Sequence, residues 1–546
     1  MSPALTTSRG LHEPTVLSLL SWLSALLLVL AIAPAGRAQC ETFTLSSPQG
    51  QAAFGMSLDL DGDTLIVGAP GALTLPPFPP AGYAIRRWNG ATWVTQHDQI
   101  GVASATEKLG WDVAISGDLA AIGAPGLAQG NPGAGAVIVL KRTGSVWGPA
   151  MTGATLFPPD PQFDGAFGTS VALEGDRLVV GEPGANGGAG RAWLFLRTPV
   201  SWVLETELVC PDVVPGSEYG RSVDLHRGSP RDAVIVGMPG HPTGGVADSG
   251  GAATFVRGPF GWFVDNVLGD SLRRRQGESV AIDGDRALFG APASFPPDES
   301  GVVVSVLWNG LFYQEVGALL GAGFGHLGAS VSLDGDLALV GAPLSDPLAP
   351  DGQGSQTGRA LLMRAGSGAF DFSDVQLFYP VDDLQDGEQF GGAVAVSGGR
   401  GALSSPRFDG GSGSVREYDL DIDAWLQADL GGGAHAEPLL VVETSLCGGE
   451  AVAVHLVAGV PNTTAFLCCG FAAVNLPFGG GTLVPDLTPP GFFFALPVGA
   501  TGALSLHDSW PTGAPAGFDI YLQWWQLDPG SPSGYSGSDA LRLTTP

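Results

Sequence analysis

From Ser170 to Leu173 small or polar residues alternate with apolar ones, the two-residue period of a strand. Glu174-Gly175-Asp176 interrupts the alternation at a tight reversal. Arg177 to Gly181 follows as a short apolar run that Pro183 stops. Beyond a glycine-rich loop, Arg191-Ala192-Trp193-Leu194-Phe195-Leu196 reads as a third strand, and Trp202 to Leu208 alternates as a fourth. The pattern predicts a four-stranded antiparallel sheet with no helical period between its strands.

This pattern is written seven times. FGMSLDLDGDTLIVGAPG begins at Phe54, LGWDVAISGDLAAIGAPG at Leu109 and FGTSVALEGDRLVVGEPG at Phe167. YGRSVDLHRGSPRDAVIVGMPG begins at Tyr219, QGESVAIDGDRALFGAPA at Gln276, LGASVSLDGDLALVGAPL at Leu327 and FGGAVAVSGGRGALSSPR at Phe390. The leading glycines are Gly55, Gly110, Gly168, Gly220, Gly277, Gly328 and Gly391, a period that marks a radial or solenoid array. Fourth strands are expected to open near Trp93, Trp147, Trp262, Tyr313, Phe370 and Trp425. Each sheet is apolar on both faces, so it must stack between neighbours, and a closed ring leaves no face bare. The expected fold is all-β: a seven-bladed β-propeller over residues 39–430, followed by a small β-sandwich over 431–546. Gly-Asp or Gly-Gly pairs at 62–63, 117–118, 175–176, 284–285, 335–336 and 398–399 supply the positive φ of a tight hairpin. The fourth copy replaces that turn with His226 to Arg231, whose Gly228 and Pro230 still signal a turn.

Composition adjusts this picture. The 546 residues include 84 Gly and 43 Pro, which suits many short strands joined by tight turns. Disorder does not fit, because apolar residues make up 44% of the chain and recur at fixed offsets. The net charge of −29 weighs against nucleic acid and anionic membrane surfaces, which need clustered positive charge. Arg9, an apolar run from Val16 to Ile32 and Pro34-Ala35-Gly36-Arg37-Ala38 form a signal-peptide pattern over residues 1–38, cut after Ala38. The run is short for a retained anchor, so the expectation is a secreted or cell-surface protein with no membrane span after cleavage. Of the cysteines Cys40, Cys210, Cys447, Cys468 and Cys469, an odd number, at least one stays unpaired within the chain. Cys447 with Cys468 or Cys469 is the expected bridge. Arg37-Ala38-Gln39 before Cys40 lacks the residues of a lipid-attachment box.

The paired FG and GAP signatures resemble FG-GAP repeats, and the chain resembles the seven-bladed propeller of integrin alpha subunits and related bacterial secreted proteins over about residues 41–430. The resemblance implies extracellular recognition or adhesion through loops on one face. It also implies that an N-terminal strand closes the ring as the outer strand of the last blade. Thr42-Phe43-Thr44-Leu45 stands in that place, and Trp425 to Leu430 competes for it. Calcium in some blades is a further implication, but the hairpins here are too short to wrap an ion that wants six to eight oxygens. Asp59, Asp61 and Asp63, and Asp419, Asp421 and Asp423, alternate, so each trio shares one strand face where a cation could relieve its repulsion; they read as solvated strand edges or turns, and no cofactor is expected, with calcium the alternative. The ending SDALRLTTP resembles a C-terminal module of secreted planctomycete proteins.

Catalytic signals are absent from the sequence. The eight histidines lie at no metal-ligand spacing, and no G-x-S-x-G elbow or phosphate-binding loop occurs. Arg273-Arg274-Arg275 is a basic cluster before the fifth copy, in the class of loop that related propellers use for ligands, and arginine forks suit carboxylate or sulfate. The favoured reading is an exposed loop that neutralises its acidic neighbours Asp265 and Asp270. Phe78 is an exposed-loop aromatic able to stack on a sugar. The expected function is a non-enzymatic binding scaffold for an extracellular protein or polysaccharide, in adhesion or recognition. The rival readings are a lectin-like propeller, a polysaccharide hydrolase or lyase using scattered carboxylates, and a structural envelope protein.

Overall fold

The computed structural model describes residues 41–544 apart from 48–52, 72–80, 104–106, 129, 151–153, 229–230, 272, 294–300, 322–324, 346–356, 366–374, 379–386, 421–427, 430–438, 445–450, 458, 500–501, 503, 510–517 and 539. The signal-peptide segment, Cys40, Phe78, Phe370, Asp421, Asp423, Trp425 and Cys447 lie outside these residues.

Seven of the antiparallel sheets among the described residues correspond to the seven sequence copies. In the third copy the strands are Ser170–Glu174, Arg177–Glu182, Arg191–Arg197 and Trp202–Glu207, hydrogen-bonded in that order. In the second, Val146–Pro149 and Thr155–Leu156 share the fourth position, both paired with Ala136–Thr143. In the sixth the described fourth strand is Val375–Phe378. Each first strand touches the first strand of the next copy, and Val394–Ser397 of the seventh touches Ser57–Asp61 of the first, so the blades form a closed β-propeller. Glu41–Ser46 completes the seventh blade by pairing with Ser414–Asp419. Its competitor is engaged elsewhere: Ala428–Asp429 pairs with Leu541–Arg542 in the C-terminal region.

The glycines of the signature are steric. Gly68, Gly123, Gly181, Gly237, Gly290 and Gly341 sit where a Cβ would overlap the carbonyl oxygen of Gly110, Gly168, Gly220, Gly277, Gly328 and Gly391 respectively. The GAP glycine of one blade thus receives the FG glycine of the next. Beside it, the hydroxyls of Ser170, Ser222, Ser279 and Ser330 donate to that same FG carbonyl at 2.8–3.0 Å. Blade seven has Ser404 in place of the glycine, and its Oγ accepts the Ala393 N–H at 2.8 Å. In the Gly-Asp hairpins only the glycine carries positive φ, for example 56° at Gly62 and 61° at Gly175, as type II′ turns require; Gly398-Gly399 carries it at both positions, as in type I′.

A second repeat is invisible in the residue types. The residue before each FG pair is left-handed although none is glycine: Ala53, Lys108, Ala166, Glu218, Arg275, His326 and Gln389 all have φ between 53° and 62°. Neighbouring backbone holds them there; the N–H groups of Ala53, Ala166 and Arg275 donate to the carbonyls of Gly411, Gly133 and Asp248.

The C-terminal region is a sandwich. One sheet runs Phe492–Pro497, Thr464–Gly470, Asp519–Leu527, Leu541–Thr544, and the facing sheet holds Leu439–Thr444, Ala451–Val457 and Leu504–Ser509. Both contribute to one core, with Val454, Leu456 and Leu506 from the smaller sheet against Leu467, Cys469, Trp524 and Leu541. Cys210, Cys468 and Cys469 are buried free thiols.

Candidate functional site: the mouth of the central channel

The small residues of the first strands do not fill the ring centre. They enclose a channel of about 600 Å³. Because each first strand starts at its FG turn and ends at its hairpin, the repeat assigns residues to the two ends.

At the hairpin end the polar side chain before each turn reaches the next blade. Asp61 accepts the Gly117 N–H, Ser116 that of Gly175 (3.1 Å), Glu174 that of Arg227 (2.6 Å), Asp283 that of Gly335 (2.6 Å) and Asp334 that of Gly398 (2.6 Å). Ser397 accepts the Gly62 N–H at 3.1 Å and returns the belt to blade one. In blade four the position is His226, whose Nδ1 lies 2.8 Å from Asp283. That contact holds the Asp283 carboxyl below its usual range against the opposing effect of burial. The fourth copy's insertion therefore leaves the belt unbroken at Arg227.

Deeper in the channel lie Asp59, Asp112 and Asp224. Part of each side chain faces the channel space, but the surrounding walls desolvate the carboxyls, and this burial pushes Asp59 up to about 6 and Asp112 and Asp224 up to about 7. Their oxygens are committed to backbone: Asp59 accepts Leu60 and Ile115 N–H groups, Asp224 those of Leu225 and Ile282, and Asp112 that of Val171. Asp63 lies outside the channel, in the turn, where Arg87 and Thr64 outweigh burial and hold its carboxyl below the ordinary value. The Asp59, Asp61 and Asp63 trio is therefore divided among three sets of partners. Among the described residues no group of three or more His, Cys, Asp or Glu side chains is arranged to hold a metal.

At the FG end the mouth is formed by the residue after each FG glycine: Met56, Trp111, Thr169, Arg221, Glu278, Ala329 and Gly392. The repeat leaves this position free, and its occupants share no chemistry. Trp111, Thr169, Arg221 and Glu278 form an aromatic and charged arc, faced by the small or apolar Ala329, Gly392 and Met56. Arg221 Nε donates to Glu278 Oε1 at 3.1 Å, Arg275 Nε to Glu278 Oε2 at 2.8 Å, and Arg275 Nη2 to Glu218 Oε2 at 2.9 Å. Burial would raise the Glu278 carboxyl, and the two guanidinium groups reverse it to below its usual value.

Trp111, Thr169 and Arg221 also line a second cavity of about 510 Å³, with Lys108, Asp164, Ala166 and the loops at Pro125, Gly133 and Pro183. Lys108 Nζ lies 4.7 Å from the Trp111 ring centroid. Crevice and channel share these three side chains as a common wall.

The sequence-predicted cluster does not form one cationic patch. Arg273 pairs with Asp270 (3.0 Å) and Glu315 (2.8 Å), and Arg275 with Glu218 and Glu278. Arg274 is exposed. Asp265 accepts Tyr313 N–H and Thr254 Oγ1 instead of an arginine of the cluster. The mouth residues Trp111 and Arg221 and the adjoining Lys108 were not singled out from the sequence. The usable signal was the most variable position of the repeat, directly between the FG glycine and the first strand.

Residues 102–140 and 151–195 match the FG-GAP repeat family. No curated protein matches the chain. Among solved structures it is similar to an exo-β-1,3-galactanase from Phanerochaete chrysosporium at 12% identity and TM-score 0.27, covering 68% of this chain and 94% of that one. A hypothetical selenium-binding protein from Sulfolobus tokodaii gives 12% identity and TM-score 0.34, covering 58% and 76%. The β-propeller domain of the trilobed protease from Pyrococcus furiosus gives 12% and 0.34, covering 64% and 90%. These likenesses are too distant to carry an activity or a ligand across. The matched FG-GAP repeats are set in a ring of like blades, so the chain is a β-propeller that carries FG-GAP repeats.

Proposed function

We propose that the protein is an exported, non-enzymatic binding scaffold that recognises an extracellular ligand at the FG end of its channel. The observation that carries this reading is the mouth itself. Seven equivalent positions each follow the same pair of left-handed residues, yet their side chains differ, and one arc of them opens into a 510 Å³ crevice of the size used for small ligands. The channel carboxylates favour binding over hydrolysis, because their oxygens accept backbone N–H groups and so serve the scaffold. Export rests on the N-terminal sequence pattern, and recognition at a cell surface or in the surrounding medium on the repeat family.

The test is a screen of the full chain against arrays of glycans and extracellular proteins, repeated with Trp111→Ala. A ligand lost in the variant while the melting temperature is kept supports the reading. Polysaccharide turnover that disappears in Asp112→Asn overturns it, as do ligands indifferent to Trp111.

A further inference from the structure

Lys108 is one of only two lysines in the chain, which carries 53 acidic residues against 24 Lys and Arg. In such a chain cations are readily matched by carboxylates. Arg86, Arg142, Arg177, Arg191, Arg221, Arg273 and Arg275 all have one within 4 Å. Lys108 has no carboxylate partner among the described residues and instead caps the Trp111 indole. The other lysine, Lys141, lines neither the channel nor the crevice. Lys108 also belongs to the left-handed series, with φ 53°, so its backbone is pinned at the crevice wall.

Resting on the binding reading above, we propose that the Lys108–Trp111–Arg221 crevice is a subsite for an anionic sugar, a pyranose ring bearing a carboxylate or a sulfate. The half-exposed indole offers an apolar platform for the C–H face of a sugar ring. Lys108 supplies an uncommitted positive charge at the ring's edge. Arg221 is paired with Glu278 on one side but keeps 35% of its side chain exposed, so its remaining donors are open to a second oxyanion. Asp164, which also lines the crevice, and Thr169 match ring hydroxyls as acceptors, the Thr169 hydroxyl donating its own hydrogen to the Ala166 carbonyl at 2.7 Å. A neutral sugar would leave Lys108 unmatched, and a flexible acidic peptide would make no use of the indole platform.

The experiment is calorimetric titration of the full chain with oligogalacturonate, chondroitin sulfate, neutral dextran and polyglutamate. The expected result is binding of one or both acidic saccharides at least tenfold tighter than dextran and polyglutamate, weakening as salt rises. Lys108→Gln and Trp111→Ala each weaken it about tenfold, Lys108→Arg restores it, and Arg274→Ala leaves it unchanged, all with melting temperatures kept. Equal binding of dextran, tighter binding of polyglutamate, wild-type affinity in folded Lys108→Gln, or no saccharide binding overturns the proposal. A Trp111-dependent ligand without negative charge would sink the anionic subsite while leaving the scaffold reading intact.

Discussion

The Gly62 N–H donates to Ser397 Oγ at 3.1 Å, joining residues 335 positions apart. This bond and the pairing of Glu41–Ser46 with Ser414–Asp419 bind the two ends of the repeat array to each other. The two devices differ in weight. Gly62 is exposed, so water replaces the hydroxyl in Ser397→Ala and the loss is about 0.5–1 kcal/mol. Deleting residues 1–46 strips a whole ladder and uncovers the pocket of Leu45, whose burial alone is worth about 2 kcal/mol. Thermal unfolding is expected to keep its sharpness in the first variant and to broaden and shift down in the second. An unchanged transition in the truncation would show that the seventh blade does not need its outer strand.

Gly181→Ala is expected to be severe. Its Cβ would overlap the Gly220 carbonyl across the blade interface and crowd Ser170 Oγ within its own blade. Backbone must move, at a cost of about 3 kcal/mol or more. Gly148→Ala is the control, since nothing lies within 4 Å of the added carbon and its φ is not positive. That variant is expected to be neutral or to gain about 0.5 kcal/mol by stiffening the unfolded chain. Denaturant midpoints for the pair measure the difference.

Ala53→Gly relieves a left-handed conformation that costs a residue with a Cβ about 1–2 kcal/mol. The added freedom of the unfolded chain takes back part of the gain, leaving about 0.5 kcal/mol of stabilisation. A lower urea midpoint for the variant would mean that its Cβ contacts outweigh the strain.

Acid is expected to stabilise the propeller over a defined range. Burial raises Asp59 to about 6 and Asp112, Asp224, Glu182 and Glu388 to about 7, from ordinary values of 3.8 for Asp and 4.5 for Glu. The folded state therefore holds protons that the unfolded state releases between these limits. Their contribution is full below the unfolded values and is lost as pH rises through 6 to 7. Asp63, Glu278 and Asp283 act in the opposite sense, with lowered carboxyls whose contribution disappears at the acid end. The melting temperature is expected to be higher near pH 5 than near pH 8, and Asp224→Asn to flatten the slope. A melting temperature that climbs steadily from about pH 5 to pH 8 would refute this.

The scaffold reading requires no bound cation. A chelator is expected to leave the melting temperature within about 1 °C of the untreated protein, against the several kcal/mol that a tightly bound ion at saturation contributes. A large fall would place calcium in a segment outside the described residues.

The blades were legible in the sequence because their determinants are local. The FG and GAP glycines, the Gly-Asp hairpins and the two-residue alternation each act within one copy or between adjacent copies. Ring closure was ambiguous because Thr42 to Leu45 and Trp425 to Leu430 have similar strand patterns, and only partner availability separates them. The left-handed series was hidden, since Ala, Lys, Glu, Arg, His and Gln share no preference for that conformation. Arg273-Arg274-Arg275 stood out as charge, but Glu218 and Glu315, which pair with its ends, lie 57 and 42 residues away in sequence. The mouth was missed for the converse reason. A lone Trp111 or Lys108 carries no motif, and their meaning comes from facing a cavity that seven separate segments build.

Synthesis runs from the N-terminus, yet the first strand of the ring is the last to find its mate. Glu41–Ser46 must wait, unmatched and able to associate with any exposed sheet edge, until Ser414–Asp419 has been made. The array can thus grow blade by blade, but it is latched only when its oldest segment meets one of its youngest.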